Sequence, residues 1–85
     1  MWNYDQCDRL VMKMETREKQ LIDRLYDEQY EQLLMYAQAV LSDVALAEDA
    51  VQETFRIACH KAGSLAASPN PPGWLFQTLR NTIKK

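Results

Sequence analysis

Between positions 47 and 55 the chain reads AEDAVQETF, which sets the carboxylates of Glu48, Asp49 and Glu53 beside the carboxamide of Gln52. On a helix, Asp49 and Glu53 share one face, because residues four apart are neighbours. Such a face can supply metal ligands, meet a basic partner surface, or simply be solvated. Gln52 adds a directional donor and acceptor among the carboxylates, which suits an interaction surface. His60 beside Cys59 has no companions at metal-ligand spacing. The chain has one histidine and no GxSxG, HExxH or Gly-rich phosphate loop. No catalytic residue, metal or cofactor is therefore expected.

A second constellation lies near the C-terminus, where Gln77, Arg80, Asn81, Lys84 and Lys85 share much of one polar face. Arg and Lys neutralise phosphates, while Asn and Gln can read base edges bidentately. Trp74 can stack on a base or pack in the core, and its place at a helix start favours the core. The preceding stretch SLAASPNPP is polar at Ser64, Ser68 and Asn70, stiffened by three prolines and free of acids. A loop of this kind can cradle an unstacked nucleotide, or it can be an ordinary connector.

Four helices are expected to position these residues. Apolar residues recur at helical spacing from Leu10 to Leu41, with a break at Arg17–Lys19. The break predicts a short first helix and a longer second one, capped by Thr16 and ending near Leu41. Leu21, Ile22, Leu25, Tyr26, Tyr30, Leu33, Leu34, Ala37, Val40 and Leu41 form its apolar stripe.

Asp43 is a good N-cap for a third helix, with Gly63 as its stop. Leu46, Ala47, Ala50, Val51, Phe55, Ala58 and Ala62 make the inward face of that helix. Glu48, Asp49, Gln52, Glu53, Arg56 and His60 fall on the other side. After a loop from Ser64 to Pro72, a fourth helix begins at Pro71 or Pro72, with Asn70 or a neighbour as cap. Its inward residues are Trp74, Leu75, Leu79 and the Thr82/Ile83 pair.

Eighty-five residues make one small domain, and no run rich in Val, Ile and Thr suggests a strand. The fold class is all-α, a small helical bundle. There is no apolar run of about 18 residues to span a bilayer and no signal-peptide start. Two distant cysteines, Cys7 and Cys59, fit reduced thiols in a cytoplasmic protein, and no membrane partner is expected. The net charge of −2 conceals a division: residues 1–53 hold all 12 acids and five bases, and residues 54–85 hold five bases and no acid. The two parts carry −7 and +5, which points to two faces with different partners.

The stretch LYDEQYEQLLMYAQAVLSDVALAEDAVQETFRIACHK, followed by NPPGWLFQTLRNTIKK, resembles conserved region 2 of bacterial sigma factors. The extracytoplasmic-function group is the nearest type. The resemblance spans residues 25–85 and rests on LAEDAVQETF, the spacing to NPxxWLF, and the RN in the last helix. It implies a sigma factor region 2 domain over residues 21–85, preceded by an N-terminal extension, expected to be helical, over residues 1–20.

The family docks on the clamp helices of the RNA polymerase β′ subunit and opens the promoter −10 element. By resemblance, Asp49, Gln52, Glu53 and Arg56 bind polymerase. Ser64, Ser68, Asn70, Trp74, Gln77, Arg80, Asn81, Lys84 and Lys85 bind promoter DNA, at the −10 non-template strand. An anti-sigma factor is a further partner that the resemblance allows. Three departures weaken the implied DNA contacts. Leu65, Ala66 and Ala67 stand where relatives often carry Phe, Arg and Gly, Pro72 where a basic residue is common, and Cys59 where Trp is common.

The match ends inside the last helix, so the family's −35-reading domain is expected to be missing and the chain to be a fragment or a degenerate paralogue. Two other readings stay open: the same fold kept as a polymerase- or anti-sigma-binding module that no longer opens DNA, and an unrelated helical DNA-binding domain.

Overall fold

A computed structural model describes residues 15–84. The expected short first helix, Cys7 and Lys85 lie outside the described residues. The described chain folds into four helices: α1 (Thr16–Leu41), α2 (Val44–His60), α3 (Ala62–Ala67) and α4 (Pro71–Lys84). The described residues contain no strand, in keeping with the all-α expectation.

Helix α1 is capped one residue earlier than the sequence suggests. Glu15, not Thr16, is the N-cap: its side chain accepts from the backbone N–H of Glu18, and its own N–H donates to Glu18 Oε1 at 3.3 Å. The reciprocal bonds satisfy two donors that the first turn would otherwise leave unpaired. The helix ends at Ser42, whose φ of 56° is left-handed and whose N–H donates to Gln38 O at 2.8 Å. One residue later, Asp43 caps α2, accepting from Leu46 N–H at 3.1 Å. This two-residue connection turns the chain back, so α1 and α2 pack as an antiparallel hairpin.

The seam of that hairpin is the centre of the core. Ile22, Leu33 and Ala37 from α1, and Ala47, Val51, Phe55 and Ala58 from α2, are fully buried. Alanines at 37, 47 and 58 add little bulk to that seam. Phe55 fills the space that remains and meets Tyr26 edge-on, with ring centroids 5.1 Å apart. Leu75 and Leu79 of α4 close the core from a third side, and Leu65 of α3 fills a corner. Tyr36 and Phe76 add a T-shaped pair where α4 leans on α1, at 6.2 Å.

Several expected placements change. Leu46 and Val40, assigned inward from periodicity, are 54% and 50% exposed. Both lie at the tip of the hairpin, where no helix covers them. Leu46 also precedes Glu53 by seven residues, two turns, and so belongs to the edge of α2 that faces outward. Leu34 is only partly buried beside a fully buried Leu33.

In turn, Thr54 and Cys59 are buried without having been assigned to the core. Thr54 is tolerated there because its hydroxyl donates to Ala50 O at 2.9 Å, leaving no unpaired donor. The expected loop from Ser64 to Pro72 shrinks to residues 68–70, because Ala62–Ala67 form α3. Gly63 is therefore inside a helix and stops nothing. The break falls at Lys61, which closes α2 and opens α3. The short helix carries Leu65 into the core, an apolar gain that an extended loop would forgo.

Phe55→Ala is expected to cost about 3–5 kcal/mol, the transfer term plus a cavity. A thermal melt of this variant should show a midpoint far below that of the parent. Leu33→Ala should also cost more than Leu34→Ala, as the difference in burial requires.

Candidate functional site

Two polar surfaces stand apart on the bundle. The first is the outward face of α2. Its inner face is fixed by Ala47, Ala50, Val51, Thr54, Phe55 and Ala58, so the 3.6-residue repeat turns Asp49, Glu53 and Arg56 outward. Asp49 and Arg56 are exposed, and Gln52 and Glu53 are partly exposed. The structure thus brings all four expected polymerase-binding residues onto one surface. Arg56 is engaged within it: its Nε donates to Glu53 Oε1 at 2.7 Å, and a second guanidinium N–H donates to Oε2. This bidentate pair holds both side chains in a defined orientation.

With Glu48, Asp49, Glu53 and Arg56 taken together, three carboxylates and one guanidinium leave the face at −2. Glu48 lies toward the α1 side, where its charge reaches Tyr30. Burial first, then Tyr26, then Glu48 hold the Tyr30 phenol above its usual 10.0. His60 is exposed while Cys59 beside it is buried. Among the described residues, no three His, Cys, Asp or Glu side chains gather where they could hold a metal ion.

The second surface is a groove of about 420 Å³ where the end of α2, α3 and α4 meet. Ser64, Trp74, Gln77 and Asn81, four of the expected DNA-binding residues, line it. Trp74 is half-buried, so its ring belongs both to the core edge and to the groove wall. Gln77 Nε2 donates to Asn81 Oδ1 at 3.4 Å, which orients the two amides together along one side of α4. Thr78 and Thr82 direct their hydroxyls to the carbonyls four residues back, Trp74 O and Thr78 O, each at 2.9 Å.

Arg80 and Lys84 are exposed on α4 but do not line the groove. By helical spacing they sit on the far side of Gln77 from Thr78 and Thr82. Ser68 and Asn70 are likewise outside it and hold the chain instead. Asn70 N–H donates to Ser68 Oγ at 3.2 Å, and Asn70 Oδ1 accepts from Gly73 N–H at 3.3 Å. Asn70 is thus the N-cap of α4, with Pro71 and Pro72 in its first turn, where their missing N–H groups cost nothing.

Lys61, Ile57 and Thr78 line the groove without having been singled out, and Thr82, expected to face inward, is partly buried and lines it as well. Lys61 had one visible signal, its place in the acid-free segment. It lines the groove at the break between α2 and α3.

A family model described as Sigma-70 region 2 matches residues 25–85. Comparisons with curated proteins and with solved structures find no significant match.

Asn70→Ala is expected to destabilise the domain by about 1 kcal/mol through loss of the α4 cap. Urea unfolding followed by circular dichroism checks this, and Asn70→Asp or Asn70→Ser should recover most of the loss.

Proposed function

The chain belongs to the sigma-70 region 2 family, and on that premise we propose that it is the promoter-opening domain of an extracytoplasmic-function sigma factor. The family is a non-enzymatic transcription-factor domain that acts in promoter recognition with core RNA polymerase. The finer reading assigns a role to each surface. Asp49, Gln52, Glu53 and Arg56 dock on a basic helical surface of the polymerase, the β′ clamp. The groove between α2, α3 and α4 receives the non-template strand of the −10 element.

The observation that carries this reading is the separation of the two surfaces on one small bundle. The acidic face of α2 carries the charge that would repel DNA, and the groove lining contains no carboxylate. From Thr54 to Lys85 there is none in the sequence either. In the groove, Trp74 offers a stacking face, Gln77 and Asn81 offer amides to a base edge, and Lys61 offers a charge to a phosphate. Arg80, Lys84 and Lys85 supply further phosphate contacts.

Ser64 lines the groove from α3, while Ser68 and Asn70 act by shaping the turn into α4. Unstacking a base costs a few kcal/mol, so useful affinity is expected when polymerase presents the strand. The domain is taken as residues 21–85 with residues 1–20 as an N-terminal extension. Its site of action is that of the polymerase, in the cytoplasm, and no described helix is long and apolar enough to cross a membrane. An anti-sigma factor that covers the docking face is a compatible regulator.

Charge reversal by Asp49→Lys with Glu53→Lys should abolish capture by core polymerase in a pull-down. The fold should survive, because the lost Glu53–Arg56 pair is exposed and such pairs contribute about 0–1 kcal/mol. Retained capture would remove the docking assignment.

On the DNA side, the polymerase complex can be titrated with a single-stranded −10 oligonucleotide at several salt concentrations. Arg80→Ala should weaken all sequences alike and flatten the salt slope by about 0.7. Asn81→Ala should instead change which bases are preferred. If neither variant changes binding, the domain docks without reading DNA.

A further inference from the structure

A second groove, of about 390 Å³, lies between the N-terminal half of α1 and α3. It is lined by Arg17, Gln20, Leu21 and Arg24 of α1 and by Ala66 of α3. The α1 residues are spaced i, i+3, i+4 and i+7, so they form one stripe along the helix. Two guanidiniums and a carboxamide line this groove, and no carboxylate does. Arg17 makes no ion pair among the described residues. Arg24 Nε approaches Glu28 Oε1 at 3.7 Å, but both side chains are more than half exposed. A pair of that kind yields readily to a stronger anion.

We propose that this α1–α3 groove is a second nucleic-acid site, in which Arg17 and Arg24 hold phosphates of the strand whose bases enter the groove on the other side of α3. The inference rests on the DNA-binding reading above and extends it to a surface outside that groove. Helix α3 is the divider. Ser64 lines one groove and Ala66 the other, and residues two apart on a helix point about 200° apart. The two grooves therefore flank α3 at a distance on the order of one helix diameter, about 10 Å.

The surface between them is low, because Gly63, Ser64, Ala66 and Ala67 are small and exposed. A strand can cross it closely without meeting a carboxylate of α3. Glu18 Oε2 lies beside Gly63 while its Oε1 accepts from the Glu15 N–H, so the path that avoids this carboxylate crosses α3 at its Ala67 end. An acidic peptide would also suit two arginines. The continuity with the first groove across α3 favours nucleic acid.

The test uses the full chain bound to core polymerase, with two labelled single-stranded −10 oligonucleotides, about six and about fourteen nucleotides long. Anisotropy is followed through a salt titration. The longer strand should bind with the steeper salt slope. Arg17→Gln with Arg24→Gln should reduce that slope by about 1.4, two single-strand phosphate contacts, and leave the shorter strand unchanged. Arg17→Lys with Arg24→Lys should retain most of the slope.

A slope unchanged by the Gln variants overturns the proposal. So does loss of polymerase capture by the Gln variants in a pull-down, which would assign the groove to a protein partner. If the shorter strand binds the parent complex and length adds nothing, this inference fails alone. If neither strand binds the parent complex, the DNA-binding reading fails and takes this one with it.

Discussion

The packing of Phe55 into the seam between α1 and α2 is the contact on which the rest of this structure depends. Its ring is fully buried and meets Tyr26 edge-on. Alanines 37, 47 and 58 are buried with it and add little bulk, and Phe55 is the largest fully buried side chain. A domain of this size buries a modest share of its surface, so few side chains can define the rotation of α2. Phe55, with Val51 and the buried Thr54, does so. Once that rotation is set, Asp49, Glu53 and Arg56 have no direction but outward. The acidic face is a consequence of the core, and the Glu53–Arg56 pair then orients it.

The groove depends on a different device, the interruption of α2 at Lys61. A helix continuing to Gly63 would carry Ser64 away from α4. The break lets α3 drop Leu65 into the core and leaves Ser64 and Ala66 on opposite flanks. The turn into α4 is then held by Ser68 and Asn70 through local hydrogen bonds. Side chains expected to touch DNA thus shape the turn that presents the side chains lining the groove. A residue can serve recognition by fixing a backbone as well as by contacting a base.

Charge is divided along the chain and also in space. The acids end at Glu53, halfway along α2, and every residue lining the groove lies C-terminal to it. Electrostatics of this kind sets which partner approaches which face more than it sets the fold. The net charge of −2 would have suggested a poor partner for nucleic acid. Local charge is the relevant quantity, because at physiological salt screening acts over about 8 Å.

The amino-acid sequence by itself determined the all-α class, the helix boundary between Leu41 and the Asp43 cap, the inward positions of Val51, Phe55, Leu75 and Leu79, and the polar faces of α2 and α4. Each of these follows from local rules, helical period and capping, that act within a few residues. Only the tertiary structure decided that Leu46 and Val40 stay exposed, because periodicity names a side of a helix and cannot say where the partner helix ends. Only the tertiary structure showed that Thr54 can be buried, since its partner is a carbonyl of its own helix and its neighbours are other helices. The same holds for α3: AGSLAA beside three prolines reads as a connector, and its helical form depends on burying Leu65 in a core assembled from distant residues. Lys61 joins the groove for that reason too, since it lies at the break that a long-range packing gain placed.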